Sequence, residues 1–139
     1  MSSLHLLGME KHDFYSASIS LDNQQNILTV KFKDNIEVDV KEITILVDES
    51  IRIVDGRKFY LLVDARDILS SMDRSARKYF AEHEEYNRLN IAQAIVVNNM
   101  PTRLLAMAYY KFYQHQNPVK IFTDLEKAKQ WLLEHSYPL

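Results

Sequence analysis

The sequence predicts an α/β fold, a single-domain mixed β-sheet flanked by helices in the order β-β-α-β-α-β-α-β-α. Two apolar runs carry this prediction, FYLLV at residues 59–63 and IAQAIVV at residues 91–97. The first run is unbroken, and apolar runs of this length are typical of strands that are covered on both faces, as in a parallel sheet. A segment with helical spacing of its apolar residues follows each run, so we expect parallel strands with right-handed crossovers.

The first third of the chain predicts a hairpin. Residues 14–21 alternate between polar and apolar side chains, and residues 27–32 form a second apolar segment. Five polar residues between them can supply the turn. The apolar side of the first strand is expected to consist of Tyr15, Ala17, Ile19 and Leu21. We assign residues 1–12 to an N-terminal arm, which is either loose or a short edge element, and residues 13–139 to the folded domain.

Four helices are predicted from their starts and their spacing. Asp39 and Glu42 form a variant capping box, and Gly56 is placed to end that helix. Asp73 can cap the second helix, and Pro101 suits the first turn of the third. In the last helix, residues 123–126 read as a capping box that begins at Thr123. The apolar stripe of the first helix is Val40, Ile43, Val47, Ile51 and Val54.

The composition excludes several classes of protein. With 47% hydrophobic and 26% charged residues in 139, the chain suits one globular domain. It has no cysteine, which excludes disulfides, thiolate metal sites and cysteine nucleophiles, and which fits the cytoplasm. A net charge of −2 without a long basic run argues against nucleic-acid binding. No apolar stretch of about 20 residues could cross a bilayer, so we expect no transmembrane segment.

Catalytic motifs are also missing. The five histidines are scattered without metal-ligand spacing, and no glycine-rich phosphate loop or GxSxG elbow occurs. We therefore expect no enzyme activity, no metal and no cofactor.

Polar residues follow the two apolar runs, where the carboxyl ends of parallel strands should open to solvent. If the two strands are neighbours, these side chains converge and could bind a small anion or a polar head group. The alternative is a set of loop caps and a surface ion pair. The residues of this predicted rim are Asp64, Arg66, Asn98, Asn99 and Arg103.

The third predicted helix is apolar nearly all round. Its core stripe is expected to consist of Leu104, Leu105, Ala108 and Phe112. The remaining large side chains must then point elsewhere, and tyrosine and methionine are enriched in interface cores. These side chains predict a contact with another protein or with a second copy of this chain. The alternative is that the N-terminal arm covers this face. These interface candidates are Met107, Tyr109, Tyr110 and Tyr113.

Three segments carry a family resemblance: LLVDARDILSSMDRSAR at residues 61–77, NNMPTRLL at 98–105 and KIFTDLEKAKQWL at 120–132. With the element order, they resemble the STAS superfamily, the SpoIIAA-like anti-sigma-factor antagonists, and most of all small bacterial STAS-like proteins of unassigned role. The resemblance runs from about residue 14 to residue 137. It implies a non-catalytic regulatory or protein-interaction domain. The same fold resemblance extends to lipid-carrying proteins, so the alternative is a small-ligand or lipid carrier with an apolar groove.

The resemblance also implies a candidate phosphoacceptor. When the segment is aligned on Met72 and Asp73, Ser75 falls at the serine that the antagonists carry for phosphorylation. The chain departs from that motif, since Arg74 replaces its first serine, Ala76 replaces its glycine, and the preceding loop is one residue longer. Helix capping and solvation are the alternative role for a serine here.

Overall fold

A mixed β-sheet with helices on both faces forms the core of the chain. The structure is a computed structural model that describes residues 9–67, 71–112 and 117–135. Within these residues the strands are β1 (Met9–Asp13), β2 (Ala17–Asp22), β3 (Ile27–Phe32), β4 (Glu37–Val38), β5 (Phe59–Asp64), β6 (Ser71–Met72), β7 (Asn90–Val96) and β8 (Val119–Phe122). The helices are α1 (Val40–Val54), α2 (Arg74–Glu82), α3 (Glu84–Leu89), α4 (Met100–Phe112) and α5 (Leu125–Leu133).

The main sheet has the strand order β1-β2-β3-β5-β7-β8. The pairs β1–β2 and β2–β3 are antiparallel, whereas β3, β5, β7 and β8 are parallel. This confirms the predicted mixed sheet. Residues 9–12 of the predicted arm form the edge strand β1 together with Asp13, and residues 1–8 lie outside the described residues.

The hairpin of β2 and β3 forms as predicted because its turn satisfies its own backbone. The Asp22 carboxylate accepts hydrogen bonds from two turn N–H groups at 2.9 and 3.2 Å, and Asn26 adopts a φ of 57°. Tyr15 is exposed, contrary to the prediction, because it precedes the strand. The remaining members of the predicted apolar side are buried, namely Ala17, Ile19 and Leu21.

Helix α1 begins and ends where the sequence predicts. The Asp39 carboxylate accepts a hydrogen bond from the Glu42 N–H at 2.9 Å. Asp55 and Gly56 at the other end have φ values of 51° and 77°, a left-handed conformation that glycine adopts without a Cβ clash. Val40, at the start of the predicted stripe, is exposed. The buried face consists of Ile43, Leu46, Val47, Ser50, Ile53 and Val54.

The helices form a layer on each face of the sheet. Successive strand residues point to opposite faces, so Leu61 and Leu62 are both fully buried but in different clusters. The first face is covered by α1 to α4. The second face is covered by α5, whose Ala128 and Leu132 pack against β5 and β7. Burial of each such leucine contributes about 1.5–3 kcal/mol, so both layers stabilise the sheet.

Three local features differ from the prediction. β4 and β6 form a small parallel pair that the sequence does not predict. The second predicted helix breaks at His83, whose Nδ1 accepts a hydrogen bond from the Tyr86 N–H at 3.2 Å and so caps the extra helix α3. Helix α5 is capped by Asp124, one residue after the predicted Thr123. The Asp124 carboxylate accepts from the Lys127 N–H at 3.1 Å.

Candidate functional site

The carboxyl ends of β5 and β7 share one edge of the sheet. These strands are parallel neighbours, with Val63 opposite Ile95 and Asp64 opposite Val96. The Ala65 N–H extends the ladder by donating to the Val96 carbonyl at 2.9 Å. The loops that follow the two strands therefore lie side by side, which is the arrangement that the predicted rim requires.

Asp64 and Arg66 form an ion pair within one loop. Arg66 donates to the Asp64 carboxylate from Nε at 3.0 Å, from Nη2 at 2.9 Å and from its backbone N–H at 3.1 Å. Burial by itself raises the pKa of Asp64, but the hydrogen bonds and charge of Arg66 outweigh it and leave the pKa below its ordinary value. The guanidinium is thus already neutralised by a bidentate carboxylate.

Asp67 and Asn98 join the two loops. The Asp67 N–H donates to the Asn98 side-chain oxygen at 2.8 Å, and the Asn98 amide donates back to the Asp67 carboxylate at 2.7 Å. Asn99 instead caps α4, since its side-chain oxygen accepts from the Thr102 N–H at 2.9 Å. Arg103 lies farther along α4, where it lines a groove beside β8.

The structure therefore brings together part of the predicted rim. Asp64, Arg66 and Asn98 lie on the adjacent loops, whereas Asn99 and Arg103 belong to α4 and its cap. An anion at Arg66 would have to compete with a carboxylate oxygen at 2.9 Å. Binding of an anion at this edge stays a prediction.

Ser75 is the second residue of α2 and is exposed. The helix start is capped by Asp73, whose carboxylate accepts from the Ala76 N–H at 2.8 Å. Ser75 is therefore not the capping residue, and its role as a phosphoacceptor stays a prediction.

An apolar cavity of about 110 Å³ lies between the sheet and the layer of α1 to α4. Its floor is formed by the residues of β3, β5 and β7 that point to this face, among them Leu61, Gln93 and Ile95. Helix α4 presents Thr102, Leu105, Ala106 and Tyr109 to it. Because Thr102 and Ala106 are small, the helix leaves part of the space above the strands unfilled.

The polar groups around this cavity are mostly engaged with the protein. The Ser50 hydroxyl donates to the Leu46 carbonyl at 2.7 Å and interacts with the Tyr86 hydroxyl. Burial raises the pKa of the Tyr86 phenol. At the more exposed end of the cavity, the half-buried Arg77 donates to the Met72 carbonyl. The described lining residues include no carboxylate.

Gln93 is a further polar residue of the cavity wall. It sits in the middle of β7, whose seven residues are all buried, and it is only 5% exposed. Its backbone N–H donates to the Pro118 carbonyl at 2.8 Å. Its side-chain amide makes no hydrogen bond with another described residue, but the amide atoms are not among those that are fully enclosed without a partner. Sequence reasoning missed this residue. The available signal was one amide in the otherwise apolar run IAQAIVV.

The core face of α4 differs from the predicted stripe. Ala106 and Tyr109 are buried, and the Tyr109 ring lies 6.0 Å from that of Phe80. The prediction that Tyr109 belongs to an exposed interface is therefore wrong. Leu104, expected in the core, is 57% exposed. Tyr113 lies outside the described residues.

The outer face of α4 carries an exposed apolar stripe. Met100, Leu104, Met107 and Tyr110 follow one another at spacings of four, three and three residues, which places them on one side of the helix. Each is between 47% and 62% exposed. The stripe adjoins a groove between α4 and β8 that is also lined by Arg103 and Lys120.

The comparisons with known proteins identify the family. A family model described as a domain of unknown function, DUF7793, matches residues 20–136. The chain belongs to the DUF7793 family. A search of curated proteins finds no match to this chain.

The DUF7793 chain is also similar to a solved structure, that of an uncharacterised protein of the DUF3478 family with a SpoIIAA-like fold from Shewanella loihica PV-4. The sequences are 16% identical, the match covers 95% of this chain and 98% of that chain, and the TM-score is 0.53. At this identity the likeness establishes the fold alone. The SpoIIAA-like fold predicted from the sequence is confirmed.

The described residues of this DUF7793 domain contain no group of three or more histidine, aspartate or glutamate residues placed to hold a metal ion. In the same residues, no helix has the length and apolar character needed to span a bilayer.

Proposed function

We propose that this DUF7793 domain is a non-catalytic interaction domain that binds another protein through the outer face of α4. The observation that carries the proposal is the stripe of Met100, Leu104, Met107 and Tyr110, four large apolar side chains that are all about half exposed or more. Contiguous apolar patches rimmed by polar residues mark interaction sites on soluble proteins.

The charges around the stripe favour a particular partner. Helix α4, with the sequence MPTRLLAMAYYKF, contains basic but no acidic residues, and Lys120 of β8 adds a further positive charge at the groove. Contact between two copies of this face would bring Arg103 and Lys120 near their own counterparts, which is unfavourable. The partner that fits is a protein segment with apolar residues flanked by aspartate or glutamate.

Designed peptides test this pairing. Two amphipathic helical peptides share one leucine face but carry either glutamate or lysine flanks, and fluorescence anisotropy measures their affinity. We expect tighter binding of the glutamate peptide, weakened by salt, and a loss of binding in Leu104→Glu. Ile45→Glu, on the exposed side of α1, is the matched control.

Two results would overturn the proposal. One is equal affinity for both peptides. The other is a homodimer in sedimentation equilibrium that Leu104→Glu converts to a monomer, because this result would make a second copy the occupant of the face.

We propose a second candidate function, the binding of a small, mostly apolar molecule, because the cavity of about 110 Å³ favours it. An engineered apolar cavity of roughly 150 Å³ holds one benzene, so in proportion this space suits a molecule of about four or five heavy atoms. A long acyl chain exceeds that volume. The small-ligand form of the proposal is therefore better supported than a lipid carrier.

Nuclear magnetic resonance with cyclopentane as the probe tests this candidate. We expect saturable shifts in the amide resonances of Ile95 and Ala106. Ala106→Leu should remove them by filling the cavity, whereas Ala108→Leu, on the same helix but not part of the cavity wall, should preserve them. Shifts that persist in Ala106→Leu would contradict a site in this cavity.

A further inference from the structure

Gln93 gives the cavity a polar contact in an otherwise apolar wall. It points to the same face as Ile95, and Leu61 lies opposite it on β5. Its neighbours in the strand, Ala92 and Ala94, point to the other face and pack in the cluster beneath α5. The amide is thus held on a rigid strand in the middle of the sheet, where it is 5% exposed.

The side chain of Gln93 has no partner among the described residues, while its backbone N–H is already bonded to Pro118. It therefore offers two donors and one acceptor to the cavity. The amide atoms are not completely enclosed, so solvent in the cavity can reach them. A ligand oxygen that takes the place of that solvent would complete the hydrogen bonds of the amide inside an otherwise apolar wall.

The other polar side chains of the cavity are bonded within the protein or lie at its more exposed end. Ser50 donates to Leu46. Ser71 and Arg77 lie at the more exposed end, where Arg77 donates one of its N–H groups to Met72. Thr102 and Tyr109 also have partners. No carboxylate is present among the described lining residues to attract a cation.

We infer that Gln93 is a specificity-determining residue, and that the cavity takes a small neutral molecule with an apolar body and one carbonyl or hydroxyl oxygen directed at the Gln93 amide. This inference rests on the second proposed function, the binding of a small molecule in this cavity. Ligands of this class include small ketones, lactones and alcohols. An apolar molecule of the same shape leaves the amide unpaired and binds less tightly.

A matched pair of probes tests the inference. Cyclobutanone and methylenecyclobutane have the same ring and differ in C=O against C=CH₂. Nuclear magnetic resonance titration of the full chain should give an affinity for cyclobutanone about fivefold higher, the ratio expected for one net hydrogen bond. The side-chain NH₂ resonances of Gln93 should move with cyclobutanone. In Gln93→Leu the preference should disappear or reverse, while Gln130→Leu, an exposed change on α5, should keep it.

The outcomes distinguish a failure of the small-molecule function from a failure of the role assigned to Gln93. If neither probe binds the wild-type chain, the small-molecule function fails. If both bind equally well and Gln93→Leu changes neither affinity, the function stands but the role of Gln93 is overturned. Gln93→Met provides a second apolar variant of similar length in case the leucine variant does not fold, and its expected result is the same.

Discussion

Replacing Gln93 with leucine should stabilise the ligand-free protein. Gln93 is only 5% exposed and its side-chain amide has no hydrogen bond to another described residue, but the amide atoms are not completely enclosed. Leucine has a similar volume without polar atoms. A fully buried polar group without a partner costs about 1–3 kcal/mol, so we expect the free energy of unfolding to rise by the lower end of that range, about 1 kcal/mol. For a chain of 139 residues this corresponds to an increase in melting temperature of roughly 3 °C.

Urea denaturation followed by circular dichroism measures this change directly. The midpoint should rise while the slope of free energy against urea stays the same, because the surface exposed on unfolding hardly changes. Gln130→Leu is the matched control, since Gln130 is exposed on α5, and it should lie within about 0.5 kcal/mol of the wild type. A Gln93→Leu variant that is equally stable or less stable would refute the reasoning, because it would mean that the amide is paired in solution.

Three further predictions concern the pH dependence of stability and a helix cap. The pKa of Asp64 is lowered in the fold, so its contribution is complete above the ordinary pKa and lost as pH falls through the folded value. Asp64→Asn should therefore flatten the loss of stability below about pH 4, and an unchanged slope in acid would count against the ion pair. The pKa of Tyr86 is raised, so its contribution is complete below the ordinary value of 10.0 and is lost above it. Tyr86→Phe should reduce the loss of stability in alkali, and equal losses in both proteins would contradict the burial of an intact phenol. Asp73→Ala should cost about 1 kcal/mol in urea denaturation, and Asp73→Asn should retain most of it; equal losses would mean that the carboxylate does not cap α2.

The parts of the fold that could be predicted depend on residues close together in the chain. Asp39, Asp73 and the turn at Asp22 each act on N–H groups two or three positions away, so their effect is visible in a short window. The extra helix α3 was missed because its cap is His83, a residue that is not among the usual capping types.

The candidate site could be predicted only in part. The apolar runs placed Asp64 and Asn98 correctly on adjacent loops at one edge of the sheet. Arg66 is paired with Asp64, so an anion would have to compete with that carboxylate, and anion binding stays a prediction. Helix α4 has apolar residues on nearly every side, so the spacing of these residues does not identify which side is buried. Tyr109 was therefore assigned to the wrong face.

The sequence by itself determined the α/β class, the order of the main elements along the chain and the starts of most helices, because these follow from periodicity and local hydrogen bonds. The tertiary structure alone decided which side of α4 is buried and therefore which apolar residues are exposed. It also decided that a cavity exists beneath Ala106 and that Gln93 faces it. The physical reason is that a cavity is the difference between the space that several elements enclose and the volume of their side chains. Residues far apart in the chain contribute to that difference, and no short stretch of sequence contains it.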